Sequence, residues 1–222
     1  MVPRLYRSRI VGLLVVAGCT LPIAAAQRNT YDDLVTLFQE FIAFERPGLR
    51  EGAPDYTAAT LQRKHAGLKA LQSRLSALDP KGWPIEQQVD HALVGALMNG
   101  YDFDLRVLRP WARDPAYYKT LWTAQSDTPA HEGPTQHGVI ELWTYTFPLT
   151  AADQAKLAGE LRTIPPLLAQ ARTNLTGNAR DLWVTGTGTM AQQGSDLEAL
   201  KKRVPNASAE LGGAISGAQR AT

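Results

Sequence analysis

The chain has 222 residues, of which 44% are hydrophobic and 20% charged, with 23 basic and 21 acidic side chains. This length suits one domain with a sizeable core. The near-balance of charge argues against nucleic-acid binding, which needs a clustered positive face; the tight basic run at 201–203 has Asp196 and Glu198 beside it. With a single cysteine, Cys19, the chain cannot form an internal disulfide.

The first 26 residues have the pattern of an export signal. Three arginines precede an apolar stretch at 10–17, and small residues end at Ala26. Two processing routes stay open, cleavage after Ala26 or lipid attachment at Cys19. A retained membrane span is not expected, because spanning needs about 20 apolar residues and Pro22 interrupts this segment. The sequence therefore predicts a periplasmic or secreted protein, or a lipoprotein anchored at Cys19.

Helical periodicity dominates the chain from residue 30 onward. The first helix is expected between a cap at Thr30 and the turn at 47–48, the second over about 57–78, and the third from Pro84 to Pro110. The third helix carries an apolar stripe, which amphipathic packing turns toward the core: Ile85, Val89, Leu93, Leu97, Tyr101 and Leu108. Because the connection at 79–83 is short, neighbouring helices should run antiparallel.

Residues 111–148 are the least regular and most aromatic part of the chain. A helix with a capping pattern at Thr150 and Asp153 follows, kinked at the proline pair 165–166, and another helix is expected over 179–204. Residues 205–222 are rich in alanine, glycine and serine, so we predict a weakly structured, truncated tail. The predicted fold is all-α, with antiparallel amphipathic helices in a bundle-like array. Its domains are a signal peptide at 1–26, a helical region at 27–204 and the tail.

A candidate metal site lies at 131–137. His131 and His137 could hold zinc, with Glu132 polarising a bound water. The spacing is unfavourable on a helix, because residues six positions apart do not share a face. A bend at Pro134 could bring both imidazoles to one ion, but a third ligand would have to come from Asp127 or Glu141. Local hydrogen bonding by polar loop residues is the simpler interpretation.

Three further patterns have structural interpretations. The run Gly186–Ala191 matches a dinucleotide-binding pattern, but no strand precedes it as such a site requires. His65 lies on the apolar stripe of the second helix and is expected to be a core histidine. Asp102 and Arg106 are spaced for an ion pair on a helix surface, worth about 0.3–0.5 kcal/mol.

Four segments together resemble exported bacterial proteins of the domain of unknown function 885 family. They are YDDL at 31–34, LDPKGWP at 78–84, LRPWARDPAYY at 108–118 and ARDLW at 179–183. The resemblance spans most of residues 30–204. It implies a largely α-helical zinc metallopeptidase, in which the metal motif His-Glu-x-x-Pro-Gly-His lies in a much longer chain. Here the segment at 131–137 departs from that motif, because Pro134 stands one position early and Gln136 replaces glycine.

The leading hypothesis is an exported helical fragment, similar to the amino-terminal part of such a peptidase and without catalytic residues of its own. Its partner would be the missing carboxy-terminal helical region, and peptides would be a further partner class. No cofactor is expected in this chain, whereas zinc is implied for the longer relatives. Such a fragment should leave part of an apolar stripe exposed. The alternative is a self-contained binding module of the cell envelope, with Trp111, Trp122 and Trp143 in its recognition surface.

Overall fold

A computed structural model describes residues 29–125 and 138–222, and most of these residues are helical. The prediction of an all-α fold is therefore confirmed. The α-helices are α1 Tyr31–Glu45, α2 Ala58–Ser76, α3 Ile85–Phe103, α4 Pro110–Arg113, α5 Ala151–Leu161, α6 Ile164–Asn174, α7 Arg180–Arg203 and α8 Ala209–Ala221. A π-helical turn, Asp104–Leu108, follows α3, and 3₁₀ turns occupy Pro80–Gly82, Pro115–Tyr118 and Leu142–Thr144.

Two short strand pairs complete the fold. Strands β1 Leu49–Arg50 and β2 Ala53–Pro54 pair antiparallel, and β3 Leu121–Trp122 and β4 Ile140–Glu141 pair parallel. Within the described ranges, no helix combines the length and the apolar character that a bilayer crossing needs.

The first three helices form one packed layer. Helix α1 begins at a capping box, in which Thr30 and Asp33 satisfy each other's backbone N–H groups. Lys64 of α2 stabilises the other end, because its ammonium donates to the carbonyl oxygens of Phe44, Glu45 and Arg46. Helix α1 has no basic residue in its own last turn, so Lys64 supplies the positive charge that a helix C-terminus favours.

The buried face of α3 differs from the predicted one. Ile85, Val89, Leu93 and Leu97 were expected in the core, but they are 69%, 51%, 56% and 51% exposed. Val94 and Met98 on the opposite side are buried instead. Since α3 is apolar on both sides, periodicity alone could not decide which side contacts α1 and α2. The helix also ends earlier than predicted, because it widens into the π-helical turn and Arg109 takes a left-handed conformation (φ 47°) before Pro110.

The second half of the chain packs around α8. The predicted kinked helix is divided into α5 and α6, since Arg162 and Thr163 break the helix before the prolines. The prediction of a weakly structured tail was wrong for 209–221. Ser208 caps α8, and the helix buries four residues against α5, α6 and α7: Leu211, Ala214, Ile215 and Ala218. Small residues let the backbones approach closely, so few large side chains are needed for this packing.

Candidate functional site

The solvent-facing side of α3 is largely apolar, with Glu86 and Asn99 as its exposed polar residues. We call it the apolar α3 face, and its exposed members are Ile85, Val89, Ala92, Leu93, Ala96, Leu97, Gly100 and Phe103. The nearest acidic residues lie at its edges. Glu86 is in the first turn, and the carboxylate of Asp90 accepts a hydrogen bond of 2.7 Å from the Tyr31 hydroxyl. The face therefore offers contact with another apolar surface and little with charged groups.

The shape of the apolar α3 face is complementary to a second helix. Ile85, Val89, Leu93 and Leu97 recur every four residues and form a ridge, and Ala92, Ala96 and Gly100 form a shallow row beside it. At 1.5 Å per residue the helix offers about 28 Å of contact length. A groove of ≈ 300 Å³ between α1 and α3 adjoins the ridge, lined by residues such as Val35, Phe38 and Leu93.

A second site is a small cavity where α1, α2, the end of α3 and α4 meet. We call it the aromatic cavity. It has a volume of ≈ 50 Å³ and is lined by four aromatic residues from different segments, Tyr56, Tyr101, Trp111 and Tyr117, together with Glu45, Asp55, Lys64, Asp104 and four apolar residues. By volume it holds a few water molecules, which is much less than a drug-sized pocket.

Two side-chain amides of α6, that of the buried Gln170 and that of the half-buried Asn174, hold one wall of the aromatic cavity in place. Gln170 accepts the backbone N–H of Tyr56 at 2.8 Å and donates to the Pro54 carbonyl at 3.0 Å. Asn174 donates to the Tyr56 carbonyl at 2.8 Å and to the Tyr118 hydroxyl at 2.9 Å. The bonds to Pro54 and Tyr56 connect residues more than 100 positions apart in the chain. They fix the segment after β2 that carries Tyr56.

Acidic side chains outnumber basic ones around the aromatic cavity. Three carboxyl groups line it, and the ammonium of Lys64 is directed to the carbonyl oxygens that end α1. Burial raises the pKa of Asp104 above its usual range and lowers that of Lys64. Burial also raises the pKa of Tyr101, with the negative charge of Glu45 as the next contribution. The cavity is consequently an electronegative, partly dehydrated space with aromatic walls.

Asp102 is buried, with 7% of its surface exposed, and it is the centre of a charge cluster. The predicted pair with Arg106 is confirmed at 2.7 Å, and Lys69 adds a contact of 3.0 Å. His65, expected in the core, is 40% exposed and has its Nε2 3.4 Å from Asp102. Hydrogen bonds from Arg106 and Lys69 lower the pKa of Asp102 to about 2, so its carboxylate is ionised at neutral pH. Such an acid is a weak base, and the cluster is best explained as structural.

The candidate zinc residues His131, Glu132 and His137 lie outside the described residues, as does Asp127. Glu141 is exposed on β4. In the ranges 29–125 and 138–222, no group of three or more His, Cys, Asp or Glu side chains could hold a metal ion.

The glycine-rich pattern at 186–191 lies inside α7 and forms no phosphate-binding loop. Its first glycine has a packing role instead. A Cβ on Gly186 would lie 2.8 Å from Pro115 Cδ and 2.9 Å from the Ala116 nitrogen. The absent side chain therefore lets α7 approach the 3₁₀ turn Pro115–Tyr118.

The three tryptophans of the proposed recognition surface occupy separate elements. Trp111 is buried and lines the aromatic cavity. Trp122 lies on β3 with the Lys119 ammonium 4.3 Å from its ring centroid, and Trp143 lies in the turn Leu142–Thr144. The sequence pointed to the aromatic character of 111–148 and to Tyr101 on the apolar stripe of the third helix, but nothing in it indicated that Tyr56, Tyr101 and Asp104 share a site. These residues come together only through the packing of distant segments.

The fold and these two sites define an all-helical protein with an exposed apolar helix face and an electronegative aromatic cavity. Comparisons with protein-family models, with curated proteins and with solved structures found no match.

Proposed function

We propose that this chain is a non-catalytic helical unit of an exported protein, and that it binds the helical region completing a domain similar to the domain of unknown function 885 family. The observation that carries this proposal is the exposure of the apolar α3 face. The family resemblance of residues 30–204 supplies the identity of the partner, namely a helical polypeptide that carries the motif His-Glu-x-x-Pro-Gly-His.

The magnitude of the exposed surface supports a partner. Full burial of a valine, leucine or isoleucine side chain is worth about 1.5–3 kcal/mol. Four such side chains, Ile85, Val89, Leu93 and Leu97, are each more than half exposed on the ridge. Their burial would therefore contribute about 3–6 kcal/mol to association, before the entropic cost of binding. Contiguous apolar surfaces of this kind mark interaction sites in soluble proteins.

The shape of the surface favours a helix as the partner. A ridge at four-residue spacing beside a row of small residues is complementary to the ridges of a second helix, with axes about 8–10 Å apart. The groove next to Val35 and Phe38 would take side chains from that helix. Because the only exposed charge on this side of α3 is Glu86 in the first turn, the partner should present an apolar stripe of similar length.

The test is co-expression of this chain with a second polypeptide, encoded downstream in the reading frame that carries the motif His-Glu-x-x-Pro-Gly-His. We expect the two polypeptides to copurify and the complex to cleave peptides in a chelator-sensitive manner. Replacing Val89→Glu and Leu93→Glu should abolish copurification, because each substitution places a charge in the interface. Val184→Glu is the matched control, since Val184 is 62% exposed on α7 and away from this face.

Three results would contradict the proposal. The first is copurification that survives the double substitution. The second is the absence of any downstream frame with the motif. The third is a face occupied by a second copy of this chain, seen as a dimer by light scattering that Val89→Glu and Leu93→Glu convert to a monomer.

The aromatic cavity favours the alternative function, a self-contained binding module. That function would require a ligand for the cavity.

A further inference from the structure

We propose that the aromatic cavity binds an alkylammonium group, the cationic end of a small amine or of a longer molecule. This proposal is independent of the apolar α3 face, which lies on a different surface of α3. It rests on the charge, the walls and the size of the cavity.

The charge of the cavity selects a cation. Glu45, Asp55 and Asp104 bring three carboxyl groups to one small space. Asp55 is held by the Thr57 backbone N–H at 3.0 Å and by the Thr60 hydroxyl at 2.7 Å. The Asp104 side chain, in contrast, has no hydrogen bond or ion pair with any other residue in the described part of the chain. An ammonium group in the cavity would supply that missing positive charge.

Lys64 lines the cavity and interacts with the charge of Glu45, but it offsets the negative charge of the cavity only in part. Its ammonium donates to the Glu45 and Arg46 carbonyl oxygens at 3.3 and 2.9 Å, and so it compensates the partial negative charge at the end of α1. The same bonds restrain the lysine side chain against moving toward Asp104. One ammonium group faces three carboxyl groups, so the lining has an excess of acidic side chains.

The walls of the cavity favour an organic cation over a hydrated metal ion. Four aromatic rings line it, and the electron-rich faces of tyrosine and tryptophan attract ammonium groups at about 0.5–2 kcal/mol per contact. A metal ion would instead require several oxygen ligands around one point. Within the described ranges, no three His, Cys, Asp or Glu side chains surround one point in this way, whereas the alkyl hydrogens of an ammonium ligand can contact the rings.

The rings are held in place before any ligand arrives. The Tyr56 and Tyr117 ring centroids are 4.9 Å apart, and the Tyr118 hydroxyl donates to the Trp111 carbonyl at 2.8 Å. Tyr101 packs edge-on against Phe41 with centroids 6.1 Å apart. A cavity with restrained walls binds with little loss of side-chain entropy.

The size of the cavity limits the ligand. A volume of ≈ 50 Å³ corresponds to about four water-sized spheres, enough for an ammonium nitrogen with a few attached carbons. A whole sugar, nucleotide or peptide does not fit. A longer molecule could enter only by its cationic end.

The experiment is titration of the folded chain with ethylammonium and with tetramethylammonium, followed by tryptophan fluorescence and by calorimetry. Ethanol and tert-butanol are the neutral controls of similar shape. We expect saturable binding of at least one cation and none of the alcohols. The cation that binds distinguishes a primary amine from a methylated ammonium group as the ligand class.

Two variants locate the binding. Glu45→Gln with Asp104→Asn should weaken cation binding by about tenfold or more, because both charges are removed at nearly constant shape. Glu141→Gln, a change of the same kind at an exposed residue outside the cavity, should leave the affinity unchanged. The alcohol comparison needs no variant, so it stays informative if the double variant fails to fold.

Absence of saturable binding by both cations up to tens of millimolar would overturn the proposal. Equal binding of tert-butanol and tetramethylammonium would also overturn it, since the cavity would then be an apolar hole with no preference for charge. Failure here would leave copurification with a helical partner unaffected, so the two proposals fail separately.

Discussion

Gln193 of α7 accepts the backbone N–H of Thr120 at 2.8 Å, and the two residues are 73 positions apart in the chain. The same side-chain oxygen accepts the N–H of Leu121 at 3.1 Å. Gln193 is fully buried, so its amide oxygen replaces water as the acceptor for the backbone N–H groups of Thr120 and Leu121. This contact fixes β3 against the second half of the fold.

Removal of the Gln193 amide should therefore be costly. We expect Gln193→Leu to lower the free energy of unfolding by about 2–4 kcal/mol, because two buried N–H groups lose their acceptor. Gln192→Leu, at an exposed position next to it, should change stability by less than about 0.5 kcal/mol. Urea unfolding followed by circular dichroism measures both. Equal changes in the free energy of unfolding for the two substitutions would show that the buried hydrogen bonds of Gln193 do not stabilise the fold.

Two glycines of α7 should respond in opposite directions to the same substitution. Gly186→Ala should destabilise the protein by about 1–3 kcal/mol, because its Cβ would lie within 3 Å of Pro115 and Ala116. A Cβ on Gly188 would have no neighbouring heavy atom within 4 Å. Gly188→Ala should therefore stabilise α7 by up to about 1 kcal/mol, because alanine has the higher helix propensity. Thermal unfolding of both variants provides the comparison. A stabilising Gly186→Ala would mean that α7 and the 3₁₀ turn are not in close contact.

Asp102 should make stability depend on acid pH. Its pKa is lowered to about 2 in the folded chain from an ordinary 3.8, so its contribution is complete above about pH 4 and is lost as the pH falls toward 2. We expect Asp102→Asn to cost about 1–2 kcal/mol at pH 7 and progressively less below pH 4. Asp181→Asn, in a fully exposed pair with Arg180, should cost at most about 0.5 kcal/mol. Denaturant unfolding between pH 7 and 3 would contradict this if the Asp102→Asn effect did not shrink.

Helix α8 should contribute to the stability of the whole fold. Ile215 is 1% exposed, so Ile215→Ala should lower the free energy of unfolding by about 2–4 kcal/mol through lost burial and the cavity left behind. Gly213→Ala, at an exposed position of the same helix with open space around it, should be neutral or stabilising. A single cooperative transition in both variants is expected. An unchanged stability of Ile215→Ala would indicate that α8 is not docked in solution.

Local signals in the sequence predicted where most of the helices begin, but they predicted neither the end of α3 at Phe103 nor helix α8. Periodic apolar residues, the caps at Thr30 and Thr150, and the prolines near 47 and 84 are local signals, and the observed starts of α1, α2, α3, α5 and α7 lie within a few residues of the predicted ones. The ion pair of Asp102 with Arg106 was predictable for the same reason, because both residues lie on one helical turn.

Which surfaces of the helices meet depends on the packing of the whole chain. Helix α3 is apolar on two sides, and the side that is buried depends on α1 and α2 rather than on its own sequence. Helix α8 packs with small residues whose value depends on how closely α5, α6 and α7 approach. The aromatic cavity joins Tyr56, Tyr101 and Tyr117 from three segments. Local pattern sets the secondary structure, but contact between distant segments depends on the burial that the whole chain achieves together.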